Sequence, residues 1–224
     1  MAAAILLIAS AALAPKPLRV LGLQLQATSG QTQENLASAE SLIRANPGYD
    51  LYVLPELSSH GYDDNVLEIA ATHAQDALDG EITTFFNRCA REVDAHICYG
   101  FLRRTANGPT ICQAVSGPDG AVELLYDKMH LCNMGKCSEV GYGLQPGQAV
   151  GTFECGGLRV GVTVCYDLRF CELYRTLAWD QGCDLILHPS AFVRDATFPC
   201  YHPFVTTRKP APPRGSRPAR TSFS

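Results

Sequence analysis

Residues 158–175 read LRVGVTVCYDLRFCELYR, a strand-like run passing directly into a helical one. Leu158–Val164 is a short apolar run of strand length, rich in β-branched residues. Cys165 ends it. From Arg169 to Gln181 a helical stretch follows, with Leu173, Leu177 and Ala178 on one side. The thiol of Cys165 is therefore expected on a sharp strand-to-helix turn, and a second buried strand, Cys183–His188, comes next.

The same alternation of strand and helix extends toward the N-terminus. Ala149–Cys155 pairs with Leu158–Val164 through Gly156-Gly157, a hairpin signal. His96–Leu102, Ile111–Ser116 and Ala121–Tyr126 are strand-like, the last two joined by the Gly-Pro-Asp-Gly turn at 117–120. Ile82, Phe85, Phe86, Cys89 and Val93 mark one face of a helix that Asp79 is expected to cap. Further upstream, Asp50–Leu54 is a short apolar strand ending at Pro55-Glu56. Gln31–Ala45 spaces Leu36, Ala39 and Ile43 helically, and Leu18–Gln26 alternates like a strand. Interleaved helices and strands favour a layered α/β sandwich over separate all-α and all-β halves.

Composition bounds the function. The 224 residues carry 46% hydrophobic and 18% charged residues, enough to bury a core, and a net charge of −4. The tail KPAPPRGSRPARTSFS (209–224) holds four basic residues and no acid, leaving 14 basic against 22 acidic residues and a net of −8 in 1–208. No basic face for nucleic acid follows from that balance. The tail has no apolar period and is expected to stay disordered. The ten cysteines show no repeating frame and sit mostly in apolar runs, so they read as buried free thiols in a reducing, cytoplasmic compartment. Residues 2–14 (AAAILLIASAALA) are too short for a membrane span but of signal-peptide length. Because no basic residue precedes them, 1–17 reads as an extension, with secretory or organellar targeting the alternative.

Three reactive residues stand at strand ends, where loops carry chemistry on a rigid scaffold. They are Glu56 in LPELSSHGY, Lys128 in YDKMHL and Cys165. Each has an ordinary reading too, as a solvated carboxylate, a surface ammonium or a core thiol. The turn at Cys165 resembles the nucleophile elbow of serine hydrolases, in which the next backbone N–H, here that of Tyr166, helps to hold an oxyanion. A thiol needs a base or a cation beside it, and Glu56 and Lys128 are suited to those tasks. A zinc site from His130, Cys132, Cys137 and Cys112 lacks the second paired knuckle of a structural centre. Cys165 and Cys171 lack redox spacing, so no metal or cofactor is expected.

Together, Pro55–Tyr62, Lys128–Leu131 and Cys165–Glu172 resemble the PExxxxGY, Lys-hydrophobe-His-Leu and CYDxRFxE motifs of the nitrilase superfamily of carbon–nitrogen hydrolases. The resemblance runs over roughly residues 18–208 and implies a four-layer αββα sandwich that pairs into a homodimer. It also implies a Glu56 base, a Lys128 oxyanion stabiliser and a Cys165 nucleophile acting on a small-molecule amide. Glu139 resembles a second glutamate that many members place between lysine and cysteine. Arg169 is a candidate for a substrate carboxylate, with a local ion pair to Asp167 or Glu172 as the competing role. The CYDLRF run is more like the ω-amidase and deaminated-glutathione amidase branch than true nitrilases. Members continue beyond the segments matched here by 189–192 and 206–208 into a helix and further strands. This chain is therefore expected to lack C-terminal strands, and an inactive, interaction-only chain is the rival reading.

Overall fold

The computed structural model describes residues 17–134, 137–192 and 220–221. The apolar stretch 2–14 and the tail, apart from Arg220–Thr221, lie outside the described residues. In chain order the elements are β1 (Val20–Gly22), α1 (Thr32–Ala45), β2 (Leu51–Val53), α2 (Asp64–Glu68), α3 (Ala70–His73) and α4 (Glu81–Val93). Then come β3 (His96–Thr105), β4 (Gly108–Ser116), β5 (Val122–Asp127), β6 (Asn133–Met134), β7 (Cys137–Ser138), β8 (Gly151–Cys155) and β9 (Leu158–Val162). A 3₁₀ turn (Cys165–Arg169), α5 (Cys171–Arg175), a π turn (Thr176–Asp180), β10 (Leu185–Leu187) and β11 (Arg220–Thr221) complete the series.

Two sheets form the centre. The first has the order β1-β2-β3-β4-β5, parallel from β1 to β3 and antiparallel from β3 to β5. The second has the order β11-β10-β9-β8, parallel except for the β8–β9 hairpin. Leu51, Cys98, Leu102, Ile111 and Val115 of the first sheet share one buried cluster with Phe153, Val160, Val162, Leu185 and Leu187 of the second. The sheets therefore pack face to face, each such side chain contributing roughly 1.5–3 kcal/mol on leaving water. On the outer side of the first sheet Leu36, Ala39 and Ile43 of α1 join Ile82, Phe86, Cys89 and Ala90 of α4 against Tyr52, Ile97, Tyr99 and Phe101. Leu173 of α5 and Leu177 of the π turn cover the second sheet at Ile186. The resulting order, helix, sheet, sheet, helix, is the αββα sandwich expected from the sequence. His96 also ties the sheets at their edge, its Nδ1 3.3 Å from Cys155 Sγ and its Nε2 3.2 Å from Glu123 Oε2.

Several local expectations are corrected. The β1 ladder spans three residues instead of nine, because β2, its one partner among the described residues, is itself three residues long. Asp79 does not cap α4. Gly80 occupies that position, and Gln75 Oε1 accepts the Ile82 N–H at 3.0 Å. The single helix expected over 169–181 is one turn of α-helix followed by a π turn, entered from a 3₁₀ turn that ends at Arg169, since the bend at Cys165 and the close docking of Leu173 and Leu177 constrain its path. The short helices α2 and α3 have no clear apolar period in the sequence, and their Val66, Leu67 and Ala70 are buried by tertiary contact. In the tail, expected to form no element, Arg220–Thr221 lies parallel beside Leu185–Ile186. Among the described residues no helix is long and apolar enough to cross a membrane.

The segment after Glu56 is pressed onto β3. Ser59 Oγ donates to Gly100 O at 2.9 Å, and the Gly100 N–H donates to Ser58 Oγ at 3.1 Å. A Cβ at Gly100 would lie 2.4 Å from Leu57 N and 2.8 Å from Pro55 O, backbone on either side of Glu56. Gly100→Ala is thus expected to cost about 1–3 kcal/mol through overpacking. In a thermal melt this would read as a drop of roughly 2–4 °C per kcal/mol, and an unchanged midpoint would contradict the close approach.

Candidate active site

The strand ends deliver three side chains to one buried point. Glu56 follows β2, Lys128 follows β5 and Cys165 follows β9. The Lys128 backbone is fixed on both sides, its N–H donating to Ile111 O at 2.8 Å and its carbonyl accepting the Gly147 N–H at 2.9 Å. Its side chain is fully buried, and Nζ donates to Glu56 Oε1 and to Glu139 Oε1, each at 2.7 Å. Glu56 Oε2 accepts the Ala191 N–H at 3.0 Å. Glu139 is held by the Cys132 N–H at 2.6 Å and by the Tyr62 hydroxyl at 2.5 Å. Glu56, Lys128 and Glu139, expected as site residues, are therefore in direct contact.

Cys165 stands beside them in a left-handed conformation, φ +45°, unusual for a residue with a Cβ. Its N–H donates to Pro189 O at 3.0 Å, which locks the bend to the end of β10. Such strain, costing on the order of 1–3 kcal/mol, persists only where the surroundings over-determine it. Burial, with the Glu56 carboxylate adding and Lys128 opposing, pushes the Cys165 thiol well above its ordinary range. The resting sulfur is thus a protonated thiol with a carboxylate as its hydrogen-bond partner. For Lys128, burial works against the charge, but the Glu56 and Glu139 carboxylates outweigh it and hold the ammonium well above its usual range. Burial also pushes the Glu139 carboxyl up, with Lys128 opposing and Glu56 adding. A cation placed between two carboxylates and a thiol can stabilise an oxyanion, and a carboxylate touching that thiol can take its proton.

Tyr166 and Arg169 lie on the 3₁₀ turn that follows Cys165, with the Arg169 guanidinium 5.1 Å from the centre of the Tyr166 ring. The first N–H groups of such a turn lack partners within it. The Asp167 carboxylate, offered as an ion-pair partner for Arg169, is instead taken by His130, Tyr126 and the Val164 N–H. Of the zinc candidates, His130 is bonded to Asp167 and stacked on Phe170 at 3.6 Å, and Cys112 is buried within β4. The Cys137 side chain lies outside the described residues. Cys165 is buried and Cys171 exposed, both as free thiols. Sequence reasoning did not assign roles to Tyr62 or Tyr126. Tyr62 closes the PExxxxGY motif and Tyr126 stands two residues before Lys128, so proximity to the motif residues was the available signal.

His60, in the Glu56 segment, sets an acid limit on the fold. Burial holds its imidazole at about 4, below the ordinary 6.5. The unfolded chain then binds more protons between those values, so the stability from the neutral ring is complete above pH 6.5 and is lost as pH falls toward 4. The contribution is on the order of 3 kcal/mol. Urea midpoints at pH 7 and pH 4.5 should differ more for the wild-type chain than for His60→Gln, and equal pH dependence would refute the assignment.

Acid, lysine and cysteine thus meet at strand ends on an αββα sandwich. The carbon-nitrogen hydrolase family model matches residues 9–208, and the chain belongs to that family. It is 34% identical over 166 residues to a nitrilase of Pyrococcus abyssi, covering 73% of this chain and 61% of that protein. It is 31% identical over 182 residues to Omega-amidase NIT2 of Homo sapiens, covering 78% and 63%. The solved structure of Saccharomyces cerevisiae Nit3, a member of branch 10 of the nitrilase superfamily, superposes with a TM-score of 0.70 at 22% identity, over 84% of this chain and 69% of that one. The chain spans about three fifths of the length of the curated relatives it matches.

Proposed function

We propose that this chain is an amidase that cleaves a small, carboxylate-bearing amide of the ω-amide type to the acid and ammonia. The observation that carries the reading is the buried Lys128 ammonium held by Glu56 and Glu139 at 2.7 Å each, with the Cys165 thiol against Glu56. Glu56 takes the thiol proton as sulfur attacks the amide carbonyl, and Lys128 with the Tyr166 N–H holds the tetrahedral oxyanion. Glu56 then protonates the departing nitrogen, leaving a thioester on Cys165. A water activated by Glu56 hydrolyses that thioester, restoring the thiol. Glu139 keeps Lys128 in place, and Arg169 receives the substrate carboxylate. The ω-amidase among the relatives and the CYDLRF run support this substrate class.

The test is ammonia release from α-ketoglutaramate and related ω-amides by the purified chain. Turnover of these in preference to unsubstituted aliphatic amides supports the reading. Soluble, folded protein that releases no ammonia from any of them overturns it in favour of an inactive chain.

A further inference from the structure

Lys128 and Cys165 belong to different sheets, and β5 and β9 are not hydrogen-bonded neighbours. Their strands alone do not set the distance between cation and sulfur. Asp167 bridges the gap. It is fully buried, and its two carboxylate oxygens accept four hydrogen bonds. Oδ1 accepts the His130 N–H at 3.0 Å and faces His130 Nδ1 at 2.7 Å. Oδ2 accepts the Tyr126 hydroxyl at 2.7 Å and the Val164 N–H at 2.9 Å. Tyr126 and His130 stand two residues on either side of Lys128, and Val164 immediately precedes Cys165. Phe170, from the same segment as Asp167, stacks on the His130 ring with 10° between planes and reinforces the link.

We propose that Asp167 is a positioning residue for amide hydrolysis, a single carboxylate that clamps the lysine segment from both sides to the turn carrying the nucleophile. The proposal rests on the amidase reading. Four donors on one carboxylate set the orientation as well as the distance between the segments, which a single contact would not. A displacement of about 1 Å between reacting groups costs on the order of 10²-fold in rate. Asparagine at this position has one acceptor oxygen in place of two, so it leaves some of the four donors unmatched. Loss of Tyr126 OH removes only one.

The experiment compares wild-type chain, Asp167→Asn and Tyr126→Phe in three measurements: ammonia release, the pH profile of Cys165 alkylation by iodoacetamide, and thermal unfolding. For folded Asp167→Asn, kcat is expected to fall about 10²-fold with KM within about threefold. Alkylation at pH 8 should slow roughly tenfold, because a thiolate farther from Lys128 is less stabilised and forms only at higher pH. Tyr126→Phe should move both readouts the same way by about three- to tenfold. If Asp167→Asn does not fold, Tyr126→Phe decides. A folded variant that melts lower yet keeps wild-type kcat and alkylation profile makes Asp167 merely structural and overturns the proposal. Wild-type chain that releases no ammonia defeats the amidase reading instead, and the alkylation profiles then test the clamp alone.

Discussion

Cys165→Ala is expected to lower ammonia release by about 10⁴-fold or more while leaving the fold intact. The substitution removes one sulfur atom, and the alanine keeps the Cβ that the bend at φ +45° already accommodates. The bonds that hold the bend, Cys165 N to Pro189 O and Val164 N to Asp167 Oδ2, are made by backbone donors and survive. What disappears is the only atom in the proposed reaction that can form the thioester. Without it the remaining groups can polarise an amide but have no covalent route. Steady-state ammonia release by the variant and wild type, beside matching circular dichroism, is the measurement. Equal turnover would remove Cys165 from the mechanism.

Glu56→Gln separates the base from the nucleophile, because two observables should move in opposite directions. In the proposed reaction Glu56 takes and returns protons, a role worth about 10²–10⁴-fold in kcat. The neutral amide keeps the size of the side chain and an oxygen for Lys128. Yet the carboxylate also raises the Cys165 thiol, by its charge and as hydrogen-bond partner. Removing that charge while Lys128 stays should lower the thiol's apparent pKa, so alkylation at pH 7 speeds up as hydrolysis slows. Loss of hydrolysis with an unchanged alkylation profile would show that Glu56 does not face the sulfur. Glu139 bonds Lys128 from the other side, so the ammonium remains held and the two effects stay separable.

The alternating runs carried most of the fold. β-branched residues at 158–164 and the apolar face of α4 encode strand and helix through side-chain period, which is local. The candidate site was legible for a different reason: Glu56, Lys128 and Cys165 each end an apolar run, but it is the resemblance of their three segments to one family's motifs that joins them into a set. The Asp79 cap failed because Gln75, seven residues before Ile82, takes the same N–H from a loop whose path depends on β3. The helix expected over 169–181 failed because docking on the second sheet, beyond local spacing, shapes its course. Sequence proximity makes Asp167 or Glu172 an expected ion-pair partner of Arg169, but it hides the direction of a buried side chain such as that of Asp167.

From the sequence by itself come the layered α/β class, the strand-end placement of acid, lysine and thiol, and the net acidic balance. Periodicity and residue chemistry depend only on nearest neighbours along the chain. Only the tertiary structure decided that Glu56 and Glu139, 83 residues apart, share one buried ammonium. It also decided that Asp167 reaches back 37 residues to His130 and 41 to Tyr126. Such contacts are set by two sheets closing face to face, where burial makes each unmatched charge costly and so selects the one arrangement in which cation, carboxylates and donors meet.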